Sequence, residues 1–244
     1  NYLIMTIIIG FVTKSSAVVA SDGRISSGAY YEGEILQKKS EVISDEFDKT
    51  FSLKNGKLIG AVSGLMSFQG KKTSEHIASL VEEYDSVPYS LDELAEYVCE
   101  GIKTSLLKVS NDEILFRFRS IDLILVGSIS DSKSTYQIKS CRLKPNDTNT
   151  SIDYNINTLD PAKDDLTHWQ IFGDNTSQAI VNTFLKNKIG LLKKHNEKTL
   201  SSISNKAIRL GIKNSTISKS GDHQTCGGKE IGRASCRERV SSPV

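Results

Sequence analysis

The stretch that decides the fold is MTIIIGFVTKSSAVVASDGR, residues 5–24, in which two apolar runs flank a short polar segment. Residues 6–12 and 16–20 are rich in the β-branched and small apolar side chains that are typical of buried strands. The polar residues 13–16 that bound the two runs predict a tight turn. The chain is therefore expected to begin with an antiparallel β-hairpin.

The register of this hairpin predicts a contact between two polar side chains. With the turn centred between residues 14 and 15, antiparallel pairing places residues whose numbers sum to 29 opposite one another. Thr6 then faces Gly23, and Asp22 lies one place away. A hydroxyl and a carboxylate are thus expected to meet at one end of the hairpin, although Asp-Gly after a strand is also typical of a plain turn.

The overall composition is that of a globular protein with no unusual partner. The chain has 244 residues, of which 38% are hydrophobic and 25% charged, and a net charge of +2. This charge gives no indication of a nucleic acid or a membrane surface as partner. The cysteines lack C-x-x-C spacing and the histidines are isolated. We therefore expect a cytoplasmic protein with reduced thiols, no metal and no cofactor.

Both ends of the sequence are set apart from the expected domain. Residues 1–4 precede Met5, which is the natural candidate for an initiator, so they are expected to be an upstream or non-native leader. EIGRASCRERV, residues 230–240, resembles a sequencing adapter translated in frame. We therefore expect a single domain over residues 5–229 that is truncated at its C-terminal side, with residues 230–244 outside it.

The rest of the secondary structure is predicted from hydrophobic spacing. Four amphipathic helices are expected, the second starting at a capping box of Ser90 and Glu93. The polar segment 144–166 is expected to contain a long loop. The order of strands, two helices, strands and two helices predicts an α+β protein with two stacked sheets and helices outside. Further strands are predicted at residues 49–53, 58–62, 121–127, 135–143 and 169–172.

Two blocks of the sequence resemble one known family. TIIIGFVTKSSAVVASDGRISSG, residues 6–28, is similar without gaps to the opening of proteasome β-type subunits and of the ring peptidases of bacterial ATP-dependent proteases. DKTFSLKNGKLIGAVSGL, residues 48–65, resembles the lysine-containing strand of that family and the glycine-ended strand after it. Looser resemblances are WQIFGDNTSQAI (169–180) and TCGGKEI (225–231). The resemblance implies a four-layer αββα sandwich of the N-terminal-nucleophile hydrolase type.

The resemblance also implies a catalytic set. Thr6 takes the position of the nucleophile, Asp22 that of its acidic partner, and Gly64 that of the backbone N–H donor to the oxyanion. For the lysine of the set, ungapped counting gives Lys38 or its neighbour Lys39, whereas the local motif gives Lys49. We prefer Lys49, which requires an insertion of about eleven residues before it, and loops tolerate such insertions.

Supporting residues follow from the same resemblance. Arg24 and Gly28 fall on matching positions of the first block. Asp174 stands where the family often has a serine that orients the amine of the nucleophile. Cys226 lies near the position of the other supporting serine, and Asp222 is a weak candidate for the companion aspartate of that serine.

The implied activity is that of a threonine endopeptidase. A threonine hydroxyl needs a base, and an α-amino group with a pKa of about 7.7–8.0 can serve when the threonine begins the chain. Removal of Met5 by methionine aminopeptidase would leave Thr6 in that position. By resemblance, like or related subunits form stacked rings that degrade polypeptides, with an ATP-dependent unfoldase as a possible partner.

Two alternatives remain at this point. VSGLMSF, residues 62–68, also resembles α-type proteasome subunits, which favours an inactive ring subunit with a structural or gating role. The second alternative is a non-proteolytic amidohydrolase of the same fold.

Overall fold

The computed structural model describes residues 6–26, 30–32, 35–38, 41–84, 90–108, 120–128, 135–148, 150–162, 166–189, 196–215, 226–228 and 230–236. The first block of strands is β1 (Ile8–Val12), β2 (Ser16–Asp22), β3 (Ile25–Ser26), β4 (Tyr30–Glu32), β5 (Ile35–Lys38), β6 (Val42–Ser44), β7 (Thr50–Leu53), β8 (Leu58–Gly64), β9 (Ser67–Phe68) and β10 (Lys71–Lys72). Helices α1 (Thr73–Glu83) and α2 (Leu91–Lys108) follow. The second block is β11 (Ile121–Ser128), β12 (Tyr136–Pro145), β13 (Ile152–Leu159) and β14 (His168–Phe172), then α3 (Asn175–Ile189), α4 (Glu197–Lys213) and β15 (Glu230–Cys236).

Two antiparallel sheets form the centre of the molecule. Sheet I has the strand order β14-β1-β2-β15, and sheet II has the order β13-β12-β11-β8-β7. Short two-stranded pairings of β3 with β6, β4 with β5, and β9 with β10 lie between the larger elements. The sequence-based strands at 49–53, 58–62, 121–127, 135–143 and 169–172 all correspond to strands of these two sheets.

Alternating side chains divide the core into three layers of contact. Ile9 on β1 and Ile7 just before it pack with α3 and α4, whereas Ile8 and Val12 pack between the two sheets. The opposite face of sheet II packs against α1 and α2, through side chains such as Leu123 and Val98. Because successive side chains on a strand point to opposite faces, this division follows from the two-residue period of the strands. The predicted four-layer αββα sandwich is confirmed. Within the described ranges, no helix has both the length and the apolar character needed to cross a membrane.

The hairpin register agrees with the prediction. Ile8 pairs with Ser21 and Val12 with Ala17, so the paired residue numbers sum to 29 along the whole of β1. The Asp22 N–H donates a 3.1 Å hydrogen bond to the Ile7 carbonyl, which extends this register one step beyond the strand. Thr6 therefore lies beside Asp22 at the end of the ribbon.

The prediction of a long loop within residues 144–166 is wrong. β12 continues to Pro145, and residues Ile152–Leu159 form β13, which pairs with β12 at the edge of sheet II. In β13, Ile152 is buried on the helix side, while the alternate positions carry exposed Asp and Asn. These polar residues have low strand propensity, and an edge strand with one exposed face hides its apolar period.

The C-terminal residues occupy a place in sheet I. Glu230–Cys236 pairs antiparallel with β2, from Glu230 opposite Asp22 to Cys236 opposite Ser16. Arg233 donates to Asp48 over 2.7 Å at the surface. Residues 230–236 are thus part of sheet I, whereas the sequence predicts that residues 230–244 lie outside the domain. A strand held by backbone hydrogen bonds makes few demands on sequence, so this pairing arises whatever the origin of the stretch, and the adapter-like origin stays a prediction.

Candidate functional site

Three side chains predicted from the sequence meet at the end of the hairpin. Thr6, two residues before the start of β1, donates a hydrogen bond from Oγ1 to Asp22 Oδ1 over 2.5 Å. The ammonium of Lys49 contacts Thr6 Oγ1 and donates to Asp22 Oδ1 over 2.7 Å. Thr6 is 2% exposed, and Asp22 and Lys49 are fully buried. A hydroxyl, a carboxylate and an ammonium therefore form one buried cluster.

Asp22 is held on both of its oxygens. Besides Thr6 and Lys49, Oδ1 accepts a 3.0 Å hydrogen bond from the Ile7 N–H. Oδ2 accepts a 3.0 Å hydrogen bond from the Gly227 N–H. A buried carboxylate is costly unless it is paired and hydrogen-bonded, and here charged and neutral donors together satisfy it. Donors from three separate parts of the chain, at residues 6–7, 49 and 227, thus fix the carboxylate next to Thr6.

Lys49 reaches the cluster from sheet II. It directly precedes β7, and its carbonyl accepts a 3.0 Å hydrogen bond from the Val62 N–H of β8. The ammonium therefore spans from sheet II to the end of the sheet I hairpin. Of the two other lysines considered, Lys38 ends β5 with its side chain outside the described part of the structure, and Lys39 lies outside the described residues. The extra residues before Lys49 include the β4–β5 pairing.

Gly64 ends β8 in a conformation that favours glycine. Its φ is +87°, and a Cβ at this position would lie 1.9 Å from the carbonyl oxygen of Ser120. Gly64 pairs with Ile121 across the ladder, two residues along β8 from the Val62 N–H that binds Lys49. The sharp end of β8 therefore requires glycine for both conformational and steric reasons.

Arg24 contacts a residue that binds Asp22 and does not itself contact Thr6 in the hydrogen bonds described. Its guanidinium forms a bidentate pair with Asp45, with donor–acceptor distances of 2.6 and 2.9 Å. This hydrogen bonding raises the pKa of Arg24. The guanidinium also packs against Gly227, where a Cβ would lie 2.4 Å from Arg24 Cζ. Arg24 thus holds the segment that binds Asp22, while Gly28 lies outside the described residues.

Asp174 caps the N-terminus of α3 beside Thr6. It accepts hydrogen bonds from the Thr176 N–H at 2.9 Å, the Ser177 N–H at 3.3 Å and the Ser177 hydroxyl at 2.9 Å. The preceding Gly173 abuts Thr6, since a Cβ there would lie 2.7 Å from the Thr6 carbonyl oxygen. Asp174 follows Gly173 directly and precedes the first residue of α3. Asp174, in the short connection between β14 and α3, therefore lies close to Thr6.

Cys226 is fully buried near Asp22 and Asp174. Burial, with a further contribution from the negative charges of Asp22 and Asp174, raises the pKa of its thiol. Cys226 therefore stays a neutral thiol, which suits packing and not nucleophilic attack. The weaker candidate Asp222 lies outside the described residues.

Three site neighbours were not assigned a role from the sequence. Gly173 contacts Thr6, Gly227 donates to Asp22, and Asp45 anchors Arg24. Gly227 lies in the TCGGKEI block of the resemblance, but its contact with Asp22 joins residues 205 positions apart, which no local pattern indicates. Asp45 lies in an acidic segment without periodicity, so nothing in the sequence distinguished it from a surface charge.

Comparisons with known proteins connect this arrangement to one fold. No protein-family model matches the sequence, and no curated protein sequence matches it. Among solved structures, the chain is similar to a Gly-1 mutant of Anbu from Hyphomicrobium sp. strain MC1, with a TM-score of 0.52 and 10% sequence identity. The match covers 97% of this chain and 88% of the Anbu chain. Anbu has a proteasome-like fold of the N-terminal-nucleophile hydrolase type. At this identity the similarity shows the fold alone, and this chain has that fold.

Proposed function

We propose that the protein is a threonine-type hydrolase that cleaves peptide bonds with Thr6 as its N-terminal nucleophile. The observation that carries the proposal is the contact of Thr6 Oγ1 with both the Lys49 ammonium and the Asp22 carboxylate in a buried cluster. A hydroxyl next to a positive charge and a fixed hydrogen-bond acceptor is suited to nucleophilic attack. The fold supports the same proposal at the level of architecture alone.

The reaction begins with attack of Thr6 Oγ1 on the carbonyl carbon of the scissile peptide. The α-amino group of Thr6 accepts the hydroxyl proton as the O–C bond forms, and the carbonyl oxygen becomes an oxyanion. The Gly64 N–H donates to this oxyanion in the proposal, a contribution of about 3–4 kcal/mol in comparable sites. When the C–N bond breaks, the ammonium returns the proton to the leaving amine, and an ester of Thr6 remains.

Water then completes the cycle. The α-amino group takes a proton from a water molecule, which attacks the ester carbonyl carbon. The C–Oγ1 bond breaks, the acyl product leaves as a carboxylic acid, and Oγ1 regains its proton. The Lys49 ammonium stabilises the developing negative charge on Oγ1 both when the Thr6 ester forms and when it is hydrolysed, and Asp22 holds Lys49 in place.

The proposed mechanism requires a free amine on Thr6. Met5 and whatever precedes it must be removed, because an amide nitrogen is not a base. We propose that the Asp174 carboxylate, which follows the Gly173 that abuts the Thr6 carbonyl, stabilises the ammonium form of this amine. We also propose that like or related subunits assemble into stacked rings in the cytoplasm, with polypeptide substrates and an unfoldase as partner. The support for assembly is the proteasome-like fold.

The deciding experiment combines the chemical state of residue 6 with activity. Intact mass and N-terminal sequencing of the purified protein should give Thr6 as the first residue. That form should hydrolyse fluorogenic peptides, Thr6→Ala should reduce the rate to background, and Thr6→Ser should retain part of it because a hydroxyl remains. An unchanged rate in Thr6→Ala would exclude the mechanism.

The same experiment separates the alternatives. A mature protein that keeps Met5 and cleaves nothing supports the structural or gating subunit. A mature protein that hydrolyses small amides but no peptide supports an amidohydrolase. Native mass spectrometry tests assembly, and a monomer at all concentrations would contradict the ring.

A further inference from the structure

A cavity of about 430 Å³ opens between the two sheets at the Thr6 end of the sandwich. One wall is the polar end of β12 and β13, and the other is Phe172 at the end of β14. Arg142 and Lys144 lie on the face of β12 that also carries Ile138, which packs between the sheets. The cavity therefore lies at the solvent-exposed end of the cleft between the sheets, on the face of sheet II that packs against sheet I.

Both walls lead directly to the catalytic cluster. Phe172 pairs with Ile8, two residues from Thr6, and is followed by Gly173, which abuts the Thr6 carbonyl. On the other wall, one row of the sheet II ladder runs from Ser63 through Asp122 to Arg142. Ser63 directly precedes Gly64, the proposed oxyanion donor.

Side-chain contacts hold this row together. Arg142 Nε donates to Asp122 Oδ1 over 2.6 Å, and Ser63 Oγ donates to Asp122 Oδ2 over 3.3 Å. The Arg142 guanidinium also lies 5.2 Å from the centre of the Phe172 ring. Arg142 is thus fixed by a carboxylate and by an aromatic ring, one from each sheet. A guanidinium has five N–H donors, and this side chain is 48% exposed, so donors remain accessible from the cavity.

The distance from Ser63, beside the proposed oxyanion donor Gly64, to Arg142 suits an extended peptide. Two strand spacings separate Ser63 from Arg142, which is roughly 10 Å, or about three residues of extended chain. A polypeptide held at Thr6 would therefore place a side chain two or three residues from the cleaved bond at the cavity.

The lining chemistry favours a negative group. Two cations, Arg142 and Lys144, and two carboxamides, Asn155 and Asn157, face one carboxylate, Asp153. Asp122 compensates Arg142 from behind and is not part of the lining. We propose that this cavity binds an acidic side chain of the substrate polypeptide, with Arg142 and Lys144 as specificity-determining residues. The inference rests on the proposed peptidase function for the polypeptide nature of the ligand.

Binding measurements test the cavity without requiring catalysis. Fluorescent peptides, amidated at the C-terminus, would differ only in Glu or Gln at one scanned position, and anisotropy would report their affinity for the Thr6→Ala variant. At one position the Glu peptide should bind about tenfold more tightly than the Gln peptide, as expected for a charge-assisted hydrogen bond. Lys144→Gln and Arg142→Gln should each reduce this ratio.

Controls keep the result interpretable. Arg142→Gln leaves Asp122 without its partner, so Lys144→Gln, at an exposed position, provides the variant that should fold normally. Lys186→Gln, on the outer helix α3, matches its change of charge and should leave the ratio unchanged. Equal affinity of Glu and Gln peptides at every position would overturn the proposal. In a second set of peptides with a free C-terminus, tighter binding of the free carboxylate together with no effect of Glu would also overturn it.

The outcomes separate this inference from the proposed function. Selective binding that depends on Lys144, without any Thr6-dependent cleavage, supports the cavity and contradicts the peptidase. Thr6-dependent cleavage without a preference for Glu contradicts the cavity and leaves the peptidase in place.

Discussion

The Lys49 ammonium donates to Asp22 Oδ1 over 2.7 Å, and neither side chain has any exposure to solvent. Asp22 ends β2 in sheet I, whereas Lys49 immediately precedes β7 in sheet II. The pair therefore joins the two sheets at the point where Thr6 lies. Desolvation of two charges is offset here by the hydrogen bonds on both oxygens of Asp22. The site geometry and the stacking of the sheets are thus coupled.

Removal of Lys49 alone should destabilise the fold strongly. Lys49→Met leaves the buried Asp22 carboxylate without its cation, and we expect a loss of about 3–5 kcal/mol in the free energy of unfolding. The double variant Lys49→Met/Asp22→Asn should recover much of this loss, because no charge then remains buried. Urea unfolding of the three proteins measures both effects. A loss below about 1 kcal/mol in Lys49→Met would mean that the pair is not buried as described.

Gly64→Ala should be much more damaging than a matched change at Gly70. Both glycines have positive φ, +87° and +74°, but a Cβ meets the Ser120 carbonyl at Gly64 and open space at Gly70. Gly70→Ala should therefore cost about 1–2 kcal/mol from its backbone conformation alone. Gly64→Ala should cost about 1–3 kcal/mol more, because the end of β8 must shift, and the proposed peptidase activity should be lost.

Thermal and urea unfolding provide the comparison for the two glycines. Equal costs would show that β8 ends in a more open environment than the one described. Alanine keeps the backbone N–H of residue 64, so a stable but inactive Gly64→Ala protein would indicate that the activity depends on the position of that N–H.

The local part of the site could be predicted from the sequence. A short turn between two apolar runs leaves few possible registers, so the approach of Thr6 to Asp22 follows from residues 6–22 alone. The arrival of Lys49 depends on how sheet II stacks on sheet I, which no local pattern specifies. Its assignment came from the resemblance of the DKTFSL motif, and the structure brings this lysine to Thr6.

Longer-range features escaped prediction for physical reasons. The polar residues of β13 that resemble a loop in sequence, Asp153, Asn155 and Asn157, line the cavity that Phe172 bounds on its other side. Polar side chains on an edge strand resemble loop residues, although here they face a cleft. The Gly227 contact with Asp22 depends on the complete sandwich, because the two residues come together only when both ends of the chain are in place.

Cys226 should resist alkylation in the native protein. Burial and nearby negative charges raise the pKa of its thiol. Little thiolate therefore forms in the native protein at pH 8.5, where about half of an ordinary thiol is ionised. Iodoacetamide at pH 8.5 should therefore leave Cys226 unmodified in the native protein and modify it fully in urea, as peptide mapping by mass spectrometry would report. Because the unfolded chain loses this proton first, the free energy of unfolding should fall as the pH rises above about 8.5. Cys226→Ser should weaken that dependence, and rapid native alkylation would contradict the burial.

Asp174 should affect both stability and the pH dependence of catalysis. Asp174→Ala removes the N-cap of α3 and should cost about 1 kcal/mol, whereas Asp174→Ser keeps a capping oxygen and should retain most of the stability. If the carboxylate also stabilises the Thr6 ammonium, its removal lowers the pKa of that amine. The amine is then in its basic form at lower pH, so the acidic limb of the rate profile of Asp174→Ser should move to lower pH. A profile that superimposes on the wild type would limit Asp174 to its role in capping α3.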